Sequence, residues 1–138
     1  MFDINSLEIN ETAEMPVRNA AGEKQYSDGK PLTITVHGPA SRLYQQIKHQ
    51  NEERNSTRLV AKMQGKDDSS VTMEDKAEEK AEQLASITIS FNNFGSGSLA
   101  GHELFLSVYK NQKLGHIADD VERFVNARAS FMKPSTQA

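Results

Sequence analysis

His37, His49, His102 and His116 are the side chains of this chain best suited to metal ligation or acid–base chemistry. None has a second histidine at i+3 or i+4, and the His-Glu-x-x-His spacing of a zinc helix does not occur. They are expected to be ordinary loop or surface histidines. Asp67–Asp68 and Asp119–Asp120 could hold a divalent ion only with carboxylates from distant positions. A simpler role for Asp119 and Asp120 is to complement the positive end of a helix from its first turn. "FGSGSLAG" carries three glycines but lacks the lysine and hydroxyl residue of a phosphate-cradling loop, and the stretch before it reads as helix. The serines lack a Gly-x-Ser-x-Gly elbow. With no cysteine in the chain, disulfides and thiolate sites are excluded. The expectation is a non-enzyme with no cofactor and no metal.

The elements that would position any function must come from 138 residues, enough for one modest core and one domain, 1–138. Leu, Ile, Val and Phe number 29, just above the composition at which disorder becomes the default for highly charged chains. A net charge of −3 argues against global disorder. The apolar residues are uneven, however: from Lys48 to Lys80, 15 of 33 residues are charged, so that stretch projects into water or awaits a partner. "MFDINSLEIN" has neither the basic nor the apolar region of a signal peptide, and no apolar run is long enough for a membrane span. The acidic balance, without a basic cluster, makes nucleic acid an unexpected partner.

The expected fold class is mainly α with a small N-terminal β-hairpin, an α+β fold with about four helices in one compact domain. "LTITVHG" alternates Leu32, Ile34 and Val36 with Thr33, Thr35 and His37, the pattern of a half-buried strand. With "EMPVRN" as a partner and "AAGEKQYSDGKP", which concentrates Gly22, Asp28, Gly29 and Pro31, as the turn, a hairpin over roughly Met15 to His37 follows. Two strands alone are marginal in water, so the hairpin must lie on helices. This divides the chain into an N-terminal segment 1–38, a helical part 39–131 and a flexible tail 132–138.

Pro39 suits a first helical position and Gly65 a stop signal, which favours one helix ending near Gln64 over two short helices meeting near Asn55 and Ser56. That helix carries two apolar stripes, Leu43, Tyr44 and Ile47, then Leu59, Val60 and Met63, separated by a polar middle. "GKDDSS" reads as a flexible joint. Thr72 approximates a helix cap for a second helix burying Ala77, Ala81, Leu84, Ala85 and Thr88, thickened at its end by Ile87, Ile89 and Phe91. The like-charge pairs Lys76/Lys80 and Glu78/Glu82 leave that helix dependent on tertiary packing. A third helix over "AGHELFLSVYKNQ" and a fourth from about His116 to Ala129 complete the chain.

Leu104, Phe105, Val108 and Tyr109 on the third helix and Ile117, Val121, Phe124 and Val125 on the fourth form dense apolar surfaces. Core is the plain reading of each. As candidates for partner binding we take Leu104, Phe105, Tyr109, Val121 and Phe124, with Phe131 and Met132 as exposed anchors beyond the last full turn.

The succession "GEKQYSDGKPLTITVHGPASRLYQQ", a charged arginine-containing helix, a short polar joint, "AEQLASITISFNNF" and a closing "HIADDVERFVNARASF" resembles the bacteriophage tail assembly chaperones. The likeness runs from about Phe2 to Phe131 and rests on the order of its parts. Where that family often has Trp, this chain has Phe91 and Phe94. The resemblance implies a small helical protein in the cytoplasm of the bacterial host. Such a protein would coat and solubilise the tape measure protein, help recruit tail-tube subunits, and be absent from the mature virion. It also implies self-association, and a frameshifted longer form whose slippage site would fall near "MKPSTQA". Neither nucleic acid nor membrane is an expected partner. Two other readings are a structural tail or head–tail joining subunit, which should be richer in strand, and a small helical DNA-binding regulator. Against the latter, "IADDVERFVNAR" balances three acids with two arginines.

Overall fold

The computed structural model describes residues 2–65 and 73–132. Of these, 56% are helical and 19% are in strand, a mixed α+β class. Strand β1 (Thr12–Pro16) leads through a two-stranded ribbon, β2 (Tyr26–Ser27) and β3 (Lys30–Pro31), to β4 (Thr33–His37). The ribbon turns at Asp28 and Gly29, whose φ values of 52° and 77° are both positive, as a two-residue turn matched to strand twist requires. β1 and β4 pair antiparallel with Ala13 opposite Val36 and Met15 opposite Ile34. The hairpin expected over Met15 to His37 is matched only loosely: the pairing begins at Thr12, encloses a second, smaller ribbon, and is part of a three-stranded sheet rather than a hairpin alone.

Helix α1 (Arg42–Met63) follows, with Ser41 as its N-cap and Gly65 at φ 75° just past its end. The stop at Gln64 and Gly65 is as expected. The start is not: Pro39 lies in a turn, and Ser41, buried, shares a hydrogen bond of 3.0 Å with His37 Nδ1. Helix α2 (Met73–Ile87) runs without a loop into strand β5 (Thr88–Asn92). The proposed cap at Thr72, most of the joint, and the tail beyond Met132 lie outside the described residues.

Strand β5 corrects part of the sequence reading: Ile87 ends α2 and is buried as expected, but Ile89 and Phe91, also expected at the helix end, lie in the strand. "ITISFN" alternates apolar with small polar residues and is rich in β-branched side chains, so it pairs with the second edge of β4. Ile34 faces Phe91 and Thr35 faces Ser90; then the register slips and Val36 faces Thr88. Ile89 is the extra residue of that irregularity and is exposed, not part of an apolar seam. On the sheet's polar face the Asn92 amide donates to Thr33 Oγ1 at 2.9 Å and Thr35 Oγ1 at 3.0 Å.

Helix α3 (Gly101–Lys110) and helix α4 (Gly115–Asn126) close the fold, followed by a 3-10 turn over Arg128–Phe131. α4 starts at Gly115, so Asp119 and Asp120 stand beyond its first turn and do not serve its positive end. Asp119 instead accepts a hydrogen bond from Lys80 of α2 at 3.0 Å, and Lys80 lies 2.7 Å from Glu122. Those two carboxylates hold the Lys80 ammonium above the ordinary lysine range. This contact offsets the repulsion between Lys80 and Lys76. Ala77 is exposed, while Ala81, Leu84, Ala85 and Thr88 are buried as expected.

One core joins sheet and helices: Met15, Val17, Ile34 and Val36 meet the apolar faces of α2, α3 and α4. Its lid is Phe131, which has no exposed surface. A methyl group on Gly38 would lie 2.4 Å from the Phe131 ring, so only glycine leaves the slot open. The Phe131 carbonyl accepts from Asn10 N–H at 2.7 Å, and Ile9 pairs with Met132, tying the stretch before β1 to the turn after α4. Gly38→Ala is expected to cost about 1–3 kcal/mol in urea unfolding, as overpacking does. The same change in a Phe131→Leu background should cost clearly less; equal costs would mean that the two do not touch.

Candidate functional site

α1 is the element that the core leaves outside. None of its 22 residues is buried. The residues it turns toward the body, Tyr44, Ile47, Asn51, Arg54 and Arg58, recur at three–four spacing, a helix-pairing seam whose upper half is polar. Asn51 Oδ1 accepts from the Gln83 amide at 2.7 Å. Arg58 grips Glu79 with both guanidinium nitrogens, one at 3.0 Å, and Arg54 stands 3.7 Å from the same carboxylate. Near the foot of α1, Tyr44 O–H donates to Asn126 of α4 at 3.3 Å. α1 and α2 thus form an antiparallel pair held by polar contacts along most of its length.

Two features follow. On the outward side of α1, Leu59, Val60 and Met63 are 58%, 48% and 78% exposed. At its foot, a groove of about 270 Å³ opens between α1, α2 and α4. Its floor is Ile47, Leu84, Ile87 and Val125, and Lys48 and Lys80 stand at its rim.

The residues chosen from sequence fall elsewhere. Leu104, Phe105, Tyr109 and Val121 are buried in the chain's own core, so in this conformation they offer no surface to a partner. Phe131, expected as an exposed anchor, is the best-buried aromatic, because the slot over Gly38 receives it. Phe124 is half-buried, edge-on to Phe131 at a centroid distance of 5.5 Å. Met132 alone of the seven is exposed. The Tyr109 hydroxyl lies 2.7 Å from Thr88 Oγ1, which spends its own proton on Leu84 O, so Tyr109 is the donor. Burial pushes its phenol up to about 12.

Sequence reasoning registered Leu59, Val60 and Met63 as an apolar stripe without assigning them a partner. It passed over Phe2, Ile4 and Leu7, which are 71%, 67% and 64% exposed on the N-terminal segment. Their signal is apolar residues interleaved only with acids and neutral polar residues, Asp3, Glu8 and Glu11 among them. The four histidines lie on four different elements, and Ser41, the one serine hydrogen-bonded to a histidine among the described residues, is buried away from any substrate. Among the described residues, no group of three His, Cys, Asp or Glu is placed to hold a metal ion, and no helix is long and apolar enough to cross a membrane. No known protein family, characterised protein or solved structure matches the chain.

Arg58 holds the Glu79 carboxyl below the usual carboxylate range. The sign follows directly: the Glu79 contribution is present above the unfolded carboxylate pKa and is lost as pH falls through the lowered folded value. Amide exchange in α1 should accelerate in acid before exchange in α3 does, and Glu79→Gln should reproduce that loosening at neutral pH. Uniform exchange in both helices would contradict the polar-seam account. For Tyr109 the folded pKa is raised. Its contribution is complete below about pH 10 and fades as pH climbs through about 12. Over that window the wild type should lose roughly 2–3 kcal/mol relative to Tyr109→Phe, read from paired urea titrations.

Proposed function

We propose that this chain is a tail assembly chaperone of a long-tailed bacteriophage, a non-catalytic protein that binds and solubilises the tape measure protein and helps recruit tail-tube subunits. The observation that carries the reading is α1: a 22-residue helix with no buried residue, ending in exposed Leu59, Val60 and Met63. A tape measure protein is a very long helix whose apolar stripes aggregate when bare. A chaperone for it needs an apolar ridge on a projecting helix, a soluble acidic exterior and contacts that release. The ridge at the end of α1 meets the first need, the net charge of −3 the second, and the polar seam behind α1 the third. The order of sequence motifs from Phe2 to Phe131 supports the same family. On this reading the protein acts in the cytoplasm of the bacterial host and leaves before the virion is complete.

The contact surface in this proposal is the outward face of α1, not the α3 and α4 faces, which the core consumes. Co-expression tests it. The wild-type chain should keep its tape measure protein soluble. Leu59→Asp with Met63→Asp, at two exposed positions, should fold normally by circular dichroism yet bind at least about tenfold more weakly, as loss of an apolar hot spot does. Undiminished solubilisation by the double variant would remove α1 from the site. Mass spectrometry finding this chain in purified virions would favour the structural-subunit reading instead.

A further inference from the structure

α1 lies against the body of the molecule with a gap beneath it. Its foot places Tyr44 and Ile47 beside Leu84, Ile87 and Val125, yet the groove of about 270 Å³ among them stays open. Helix and surface do not fill the space between them, so the dispersion contacts of a close-packed seam are missing there. The start of α1 is loosely fastened as well. Ser41, its N-cap, makes no side-chain bond to the first turn; its hydroxyl lies 3.0 Å from His37 Nδ1 instead. Higher up, Asn51, Arg54 and Arg58 hold on through partly exposed polar contacts, which are individually weak.

The strip that α1 covers has a definite chemical order. Leu84 and Ile87 of α2 and Val125 of α4 make an apolar patch at one end. Gln83 offers its amide in the middle, and Glu79 a carboxylate at the other end, the one that Arg54 and Arg58 approach. Lys80 adds no unmatched charge, because Asp119 and Glu122 already hold it. The strip is thus apolar, then polar, then acidic. α1 shows the spacing that answers it: Tyr44 and Ile47 a turn apart, Asn51 next, and Arg58 three turns after Ile47.

We propose that this strip is a docking site for an amphipathic helix of a partner protein, one bearing two apolar side chains a turn apart and a guanidinium three turns further on, and that α1 covers the strip until that helix arrives. The partner gains where α1 is deficient. Larger apolar side chains at its foot fill the open groove, and its arginine satisfies Glu79 in place of Arg58. α1 competes from within the same chain, so a high effective concentration offsets its loose fit and reserves the strip for a helix that packs better. The site is distinct from the outward face of α1, and it stands whether or not that face binds a tape measure protein.

The probe is a synthetic peptide of residues 42–63 carrying Ile47→Phe, labelled for fluorescence anisotropy and titrated with the full chain. Arg54→Ala with Arg58→Ala in the chain loosens α1 but leaves the strip intact. That pair should strengthen peptide binding about tenfold, the worth of two partly exposed ion pairs, with an unchanged circular dichroism spectrum. The same two changes made in the peptide should weaken binding by a similar factor. The chain has no cysteine, so Asn51→Cys with Gln83→Cys can be joined by a short bismaleimide to pin α1 down. The pinned chain should not bind the peptide, and the same chain before cross-linking should. Absence of binding to the Arg54→Ala, Arg58→Ala chain would overturn the inference. Binding by the pinned chain would do the same, because the peptide would then sit elsewhere. Concentration-dependent dimers of the wild type in sedimentation velocity that pinning prevents would give the strip to α1 of a second copy, again against the proposal.

Discussion

Strand β4 is the piece on which the rest is assembled. It is paired on both edges, by β1 and by β5, and Ile34 and Val36 on its inner face have no exposed surface. Gly38, immediately after it, provides the slot for Phe131, and four residues later α1 begins. The six residues from Thr33 to Gly38 thus bring together the N-terminal hairpin, the strand that follows α2 and the closing aromatic. Backbone pairing on both sides satisfies the polar groups that burial of Ile34 and Val36 would otherwise strand. A polar residue at either position would disturb every layer at once.

Two kinds of adhesion meet in this small chain. The sheet, α2, α3 and α4 are joined by dry apolar contact, where each fully buried aliphatic or aromatic side chain contributes about 1.5–3 kcal/mol. α1 is joined to them mainly by the Arg58–Glu79 grip, Asn51–Gln83 and Tyr44–Asn126. Partly exposed ion pairs of this kind contribute about 1 kcal/mol or less. The gradient in stability therefore runs across the molecule, and α1 belongs to its low end, where segments open locally without global unfolding. The polar middle of α1 explains why: a seam of Asn and Arg fixes the register of two helices but adds little apolar burial.

Much of this was legible in the sequence, for reasons that can be named. Leu104, Phe105, Val108 and Tyr109 repeat at helical spacing and are buried together, as are Ile117, Val121 and Val125. The stop of α1 at Gly65 follows from its positive φ. What escaped has a common cause, dependence on contacts far along the chain. "ITISFN" is too short to distinguish strand from helix end by periodicity, and what decides it is the open edge of β4. Phe131 looks like an exposed straggler until Gly38, 93 positions earlier, is seen beneath it. Asp119 and Asp120 look like first-turn acids because the helix was placed one residue late, and because Lys80 is distant in sequence. The burial of Leu104, Phe105, Tyr109, Val121 and Phe131 has the same origin: the densest apolar faces are the ones a small chain needs for itself, and Leu59, Val60 and Met63 stay exposed on the less apolar helix.

That division bears on how a protein of this size could bind reversibly. A chain with 29 Leu, Ile, Val and Phe residues cannot build a full core and also display a broad sticky face. It can spend its best apolar positions on one core and carry a few exposed ones on an element attached by polar contacts. Binding through such an element couples to its own docking: a visitor that fits α1 only when α1 lies on α2 tightens the seam, and one that needs α1 moved must first release Glu79 and Gln83. Both steps are small because the contacts are polar and partly exposed. An apolar seam behind α1 would make the same movement cost several buried side chains, about 1.5–3 kcal/mol each. The polar seam therefore keeps the helix ordered enough to present Leu59, Val60 and Met63 on one side, yet leaves it free to shift or let go without unfolding the domain that carries it.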